Sequence, residues 1–217
     1  MKKLWLLFLY LLPLCSWTQE KMYIDSEGNT TTKDKAKLYR VISEKDGRYH
    51  VKDFFLDGKL QMDAYATKKD FRSIEELIGK FSFYFEDGKI RNKSIFKDGV
   101  KLEEETYKDD EIRKNTFKNG EIVQQDIYSK NKKLKAKKFF LENGKTKIIS
   151  YYENGNKQEE VFVINELFDG EALVYYPSGK LKEKDFFKKG KREGETIIYY
   201  ENGNAKQKST FKNDKRE

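Results

Sequence analysis

One histidine and one cysteine occur in 217 residues, and together they bound the chemistry open to this chain. His50 has no second histidine to share a metal, so a zinc site there would need carboxylates for nearly every other ligand, which is atypical. A Ser-His-Asp arrangement could use only His50, and no Gly-x-Ser-x-Gly turn is present to hold the serine. His50 therefore reads as a strand residue beside Tyr49. The acidic clusters are Glu103-Glu104-Glu105, Asp109-Asp110-Glu111 and Glu159-Glu160. Paired carboxylates can hydrolyse glycosides when a cleft holds them roughly 5 to 9.5 Å apart. On a thin sheet the same residues are solvated strand faces or turns. Neither an Asp-x-Asp-x-Asp-Gly calcium loop nor a Gly-rich phosphate loop occurs. The expectation is a non-enzyme with no catalytic residue, no metal and no cofactor.

Composition narrows the partners. The chain has 45 basic and 37 acidic residues, a formal charge of +8 and a mean hydropathy of −0.91. Such polarity suits disorder, but 14 Tyr and 16 Phe do not. A thin fold held by aromatic pairs reconciles the two. The basic tracts Lys130–Lys138 and Lys188–Arg192 could meet anionic lipid or acidic glycan, although lysine with interleaved glutamate mainly promotes solubility.

Residues 1–18 read as a secretory signal. Lys2 and Lys3 precede an apolar run from Leu4 to Leu14, and Ser16 and Thr18 suit cleavage before Gln19. The run is too short for an ordinary spanning helix, which needs roughly 20 residues. Cys15 falls inside this segment, and Leu14 fits poorly the small residue wanted before a lipidated cysteine. Membrane association is expected only if Cys15 is lipidated or through a partner. Export to the periplasm, outer-membrane surface or medium follows, and it disfavours nucleic acid.

The elements that position all other residues come from a repeat. Tyr151-Tyr152-Glu153-Asn154-Gly155, Tyr175-Tyr176-Pro177-Ser178-Gly179 and Tyr199-Tyr200-Glu201-Asn202-Gly203 recur at intervals of 24 residues, and Tyr84-Phe85-Glu86-Asp87-Gly88 is an earlier copy. Half-copies end at Gly99, Gly120 and Gly190. Each half-copy reads as a strand and a tight turn. Asp87-Gly88, Asp98-Gly99, Asn119-Gly120, Asn154-Gly155 and Asn202-Gly203 suit type I′ hairpins, and Tyr176-Pro177-Ser178-Gly179 suits a type I turn.

Three residues before each turn glycine stand Phe55, Phe85, Phe96, Phe117, Tyr152, Tyr176, Phe187 and Tyr200. Tyr107, Tyr128 and Phe211 take that place before Asp110, Asn131 and Asp214; only Phe140 is out of step. Alternation along a strand puts such residues on one face, with Tyr84, Tyr175 and Tyr199 on the other. Phe85, Phe96, Tyr107, Phe117, Tyr152, Tyr176, Phe187 and Tyr200 form the candidate binding face. Glycine turns every dozen residues and the lack of i, i+3, i+4 spacing exclude a helical solenoid. The expected fold is all-β, an elongated antiparallel meander of hairpin repeats over 79–217 with an atypical, mostly β cap over 19–78. Asp70–Ile78 suits a short helix or ordered loop. Lys206, Lys208 and Lys212 protect the last strand.

The pattern resembles the bacterial variant of the MORN repeat. The unit is clearest from Gly170-Glu171 through Tyr175-Tyr176, Gly179-Lys180 and Phe187 to Gly190-Lys191 and Glu193-Gly194. An earlier unit runs from Gly79-Lys80 to Gly99, and Ala36–Met62 looks like the region preceding these repeats in exported proteins of gliding and gut-type bacteria. The resemblance implies a non-catalytic protein-binding or scaffolding module of the cell envelope. Relatives are often labelled antitoxins, which makes a toxin-neutralising partner one alternative and binding of anionic lipid or polysaccharide another. The mature protein is expected to start at Gln19 and to carry no thiol. Intact-mass measurement of the exported form checks this, and an acylated chain starting at Cys15 would overturn it.

Overall fold

In a computed structural model, residues 21–69 and 76–217 are described. The signal, Cys15 and residues 70–75 lie outside them. Eighteen strands follow one another: β1 (Met22–Ile24), β2 (Leu38–Lys45), β3 (Arg48–Phe55), β4 (Leu60–Ala66), β5 (Leu77–Tyr84) and β6 (Ile90–Lys97). Then come β7 (Val100–Tyr107), β8 (Glu111–Lys118), β9 (Glu121–Ser129), β10 (Leu134–Phe140), β11 (Lys145–Tyr151) and β12 (Lys157–Ile164). The last are β13 (Leu167–Tyr175), β14 (Leu181–Lys188), β15 (Lys191–Arg192), β16 (Gly194–Tyr199), β17 (Ala205–Lys212) and β18 (Lys215–Arg216). Each pairs antiparallel with its sequence neighbour, and β14 pairs with both β15 and β16, giving one open meander. At 4.7–4.9 Å between strands, the sheet extends for roughly 75 Å. Leu77 and Ile78, expected in a helix or loop, begin β5 instead, because Ala66 and Tyr65 pair with them.

Two kinds of turn alternate between the two margins of the sheet. At the first margin, two-residue loops at Asp46–Gly47, Asp98–Gly99, Asn119–Gly120, Asn165–Glu166, Lys189–Gly190 and Asn213–Asp214 hold both residues at positive φ. That is the type I′ hairpin, whose twist suits the strands it joins. At the second margin the loops have three residues. In Phe85–Lys89, Tyr152–Asn156, Tyr176–Lys180 and Tyr200–Asn204, the first N–H donates to the fifth carbonyl and the fourth, always glycine, donates back to the first. Only the glycine has positive φ, and the ladder shifts by a bulge directly afterwards.

Asp87-Gly88, Asn154-Gly155 and Asn202-Gly203 are therefore not type I′ turns, contrary to their residue types. Their side-chain oxygens instead accept the N–H two residues on, from Lys89, Asn156 and Asn204. That local bond is the other reason Asx residues favour turns.

Side chains divide between two faces. The first carries a cross-strand row from Val51 through Ala64, Phe81, Ser94, Glu104 and Asn115. Its apolar part forms the core cluster Val51, Met62, Ala64, Leu77 and Phe96, with Ile42, Phe81 and Phe83 against it. Asp53, only 4% exposed, is held by a two-pronged pair with Arg40 at 2.7 and 2.8 Å. Farther along, the row becomes polar, and Asp185, Thr196 and Ser209 are buried in it.

Neighbouring 24-residue units are tied side chain to backbone. Tyr152 Oη donates to the Tyr175 carbonyl at 2.7 Å, and Tyr176 Oη to the Tyr199 carbonyl at 2.8 Å. Asn154 and Asn156 both donate to the Pro177 carbonyl. At the opposite margin Asp169 accepts the N–H of Lys189, and Glu193 that of Asn213. Tyr176→Phe should cost about 0.5–1.5 kcal/mol, the net value of one such bond. Tyr200→Phe should cost nothing measurable, since among the described residues Tyr200 makes no such bond. Urea melts of the two variants check the difference, and equal midpoints would refute the latch.

Candidate functional site

Seven of the eight residues of the expected binding face do share the first face, but in two rows. Phe85, Tyr152, Tyr176 and Tyr200 lie at the margin of three-residue turns, and Phe96, Phe117 and Phe187 at the other. The row at the first margin also includes Phe140, whose longer loop leaves it on the same face, opposite Thr146. Phe96 is 4% exposed and belongs to the core, packed edge-on against Phe81.

Tyr107 and Tyr128 face the other way. Tyr107 pairs with Ile112, which pairs with Tyr128, on the second face. The cause is turn length. The loop Asp109–Asp110 has two residues and no positive φ at a margin where the others have three, so Lys108 takes the place an aromatic holds elsewhere. In the next turn of that margin the left-handed residue is Lys132 rather than Asn131, so Ser129 takes it. With Lys93, Lys114 and Lys132, the two tyrosines line an open cavity of about 330 Å³. Burial, then the Glu105 carboxylate that its hydroxyl contacts at 2.6 Å, push the Tyr107 phenol up to about 12. It stays protonated and donates.

Cations opposite the aromatics were not singled out by the sequence reading. Lys101 lies 5.8 Å from the Phe96 ring centre and 5.6 Å from that of Phe117. Arg192 takes the same place, 5.9 Å from Phe187 and 5.5 Å from Phe211. Each cation directly opposes its first ring across the two-residue hairpin. The signal available was a basic residue five positions after the aromatic. Arg192 also reaches Glu183 at 3.5 Å and Asp185 at 3.4 Å, while Asp185 accepts from Thr196. Burial and the neighbouring Asp185 raise the Glu183 carboxyl above its ordinary value.

The remaining candidates are held in structural contacts. His50 stacks on Tyr65 with centroids 4.3 Å apart, and its Nε2 lies 2.7 Å from Asp63. Strand alternation splits the acidic clusters: Glu104 meets Lys101 on the first face, while Glu103 meets Lys114 and Glu105 meets Tyr107 on the second. Glu160 binds Lys147 and Lys157, leaving Glu159 exposed on the opposite face. Across β6 to β10 the second face alternates Lys93, Glu105, Lys114, Asp126 and Lys137 strand by strand. Among the described residues no His, Cys, Asp and Glu group could hold a metal.

An open antiparallel meander with repeating turns, side-chain latches and cation–aromatic pairs defines a hairpin-repeat protein. Four segments, residues 77–98, 146–165, 168–189 and 192–213, match the MORN repeat variant. Residues 99–145 lie between matched segments, yet β7 to β10 continue the same meander. No curated protein matches the chain significantly. Solved structures that match include a crystal structure of the GtfA/B complex bound to UDP and GlcNAc. It is 10% identical over 65% of this chain, with a TM-score of 0.22, so the likeness carries no argument. This chain spans 26% of that one.

Removing Arg192 should leave the Glu183–Asp185 pair repelling. A carboxyl with a raised folded-state pKa binds its proton more tightly folded than unfolded. Its destabilising effect is therefore present at neutral pH and fades as pH falls through its range. Arg192→Ala should cost about 1–2 kcal/mol at neutral pH, from lost ring contacts and a part-exposed ion pair, and less at pH 5. Urea midpoints of wild type and variant at both pH values check this; a penalty independent of pH would remove the carboxylates from the account.

Proposed function

We propose that the protein is an exported, non-catalytic repeat protein of the cell envelope that binds another protein through its sheet. MORN repeats commonly serve as protein- or membrane-binding modules. The observation that carries the reading is an uncovered apolar row at the first margin. Phe140 opposes Thr146, Thr146 opposes Val163, and Val163 opposes Phe168 on adjoining strands. Phe140 is 40% and Phe168 44% exposed on that face. Contiguous exposed apolar side chains of this kind mark interaction sites. Export rests on the signal-like pattern of residues 1–18, and the envelope assignment on that pattern together with the repeat type.

Affinity co-purification of the tagged full-length protein from envelope fractions of its host should recover one stoichiometric protein partner. Phe140→Glu should lose that partner while keeping the far-ultraviolet spectrum of the wild type, because Phe140 is exposed. Recovery of the protein alone from every fraction would count against the proposal.

A further inference from the structure

The opposite margin of the first face carries a second, more regular feature. Each of the three C-terminal units there presents a ring, then a polar pair six and seven residues later: Tyr152 with Gln158 and Glu159, Tyr176 with Lys182 and Glu183, Tyr200 with Lys206 and Gln207. Phe85 with Arg91 and Asn92 is an outlying fourth, beside an open cavity of about 410 Å³ lined by Phe83, Arg91 and Asn92. The latches to Tyr175 and Tyr199 hold the Tyr152 and Tyr176 rings across the intervening strand, so these platforms are pre-organised. Phe85 and Tyr200, at the two ends, are 46% and 50% exposed. Lys182 and Lys206 stand 5.8 and 5.6 Å from the ring centres of their units, and Arg91 5.9 Å.

Successive rings are two strands apart, a stride of about 9.6 Å along the sheet. One turn of a polyproline II helix advances about 9.3 Å in three residues, and prolines in that conformation dock on aromatic rings. Strand twist lengthens the stride at the margin, so the match is made over three rings rather than the whole sheet. The polar pairs add direction. The Tyr152 end offers the carboxylate Glu159, the middle unit offers one charge of each sign, and the Tyr200 end offers the cation Lys206. Glu153 and Glu201 occupy the same turn position at both ends and leave that difference unchanged. We propose that the Tyr152–Tyr176–Tyr200 row receives a proline-rich polyproline II segment of the partner protein, one proline per ring. A basic residue of that segment faces Glu159 and an acidic one faces Lys206. This inference rests on the protein-binding reading above.

The probe is a synthetic peptide with proline at every third position, arginine at one end and glutamate at the other, titrated into the mature protein by fluorescence anisotropy. Binding should weaken about tenfold or more in Tyr200→Ala, the loss expected for an aromatic anchor. Tyr200 lacks the latch, so this variant keeps the fold. Glu159→Lys should weaken the peptide carrying arginine and spare one carrying glutamate in its place. Tyr84→Ala, on the opposite face, should change nothing. Binding unaffected by Tyr200→Ala would overturn the proposal. So would an inert peptide, or binding only to an extended glycan, in a protein that still co-purifies a partner. In that last case protein binding survives and only its proposed chemistry fails. Recovery without any partner strikes at the broader reading instead.

Discussion

Backbone pairing carries this molecule, because among the described residues no second layer covers either face of the sheet. In a two-layer domain, burial between layers fixes which face of a strand turns inward. Here that decision falls to the turns. Beyond a two-residue loop with both residues left-handed, as at Asp98–Gly99, Asn119–Gly120 and Asn165–Glu166, two pairs form before the ladder shifts, whereas beyond a three-residue loop ending in glycine it shifts after one. The regular alternation of the two kinds keeps Ile148, Val161 and Ala172 in one cross-strand row. Where the alternation lapses, as at Asp109–Asp110, the aromatic changes face although the strand pairing continues.

Stability is distributed unevenly along this frame. The N-terminal strands have an apolar cluster around Val51 and Phe96, which is the ordinary hydrophobic solution. The later strands bury Asp185, Thr196 and Ser209 in its place, so hydrogen bonds and ring–cation contacts take a larger share. Buried polar groups are tolerable only when partnered, and Asp185 has both Thr196 and Arg192. The C-terminal units also bond their neighbours at both margins. Repeat proteins commonly behave in this way, with stability approximated by units and nearest-neighbour interfaces.

The all-β meander was legible because glycine spacing and aromatic register both repeat, and no side-chain geometry was needed to read them. Less was legible at the turns. Asn119-Gly120 and Asn154-Gly155 are the same dipeptide, yet one supplies two left-handed residues and the other an Asx hydrogen bond plus one left-handed glycine. The distinction lies in loop length, which the dipeptide does not encode. Tyr107 and Tyr128 were misplaced for that reason: their loops lack glycine, and the left-handed position had to be guessed at Asp110 and Asn131. Arg192 was read only as part of a basic tract and Lys101 not at all, because each stands five residues from its ring in sequence and touches a second ring on a later strand. Phe96 and Phe85 looked equivalent in sequence, but only the N-terminal cluster closes over one of them.

These differences separate aromatics that hold the sheet from aromatics that could meet a ligand. A ring flanked on its own row by a cation and a second ring, like Phe187 between Phe168 and Arg192, has its contacts satisfied internally. At the other margin the Tyr176 hydroxyl is committed to the Tyr199 carbonyl, while the body of the ring remains half-exposed and its flexible companion Lys182 is exposed. Fixing the polar tip costs the ring little area but removes most of its freedom. Ordering a side chain on binding typically costs 0.5–1.5 kcal/mol, a cost already met in the folded repeat. The same hydrogen bond that joins one unit to the next thus leaves a rigid aromatic platform at Tyr152 and at Tyr176. In this way a single open sheet can present a regular, directional surface.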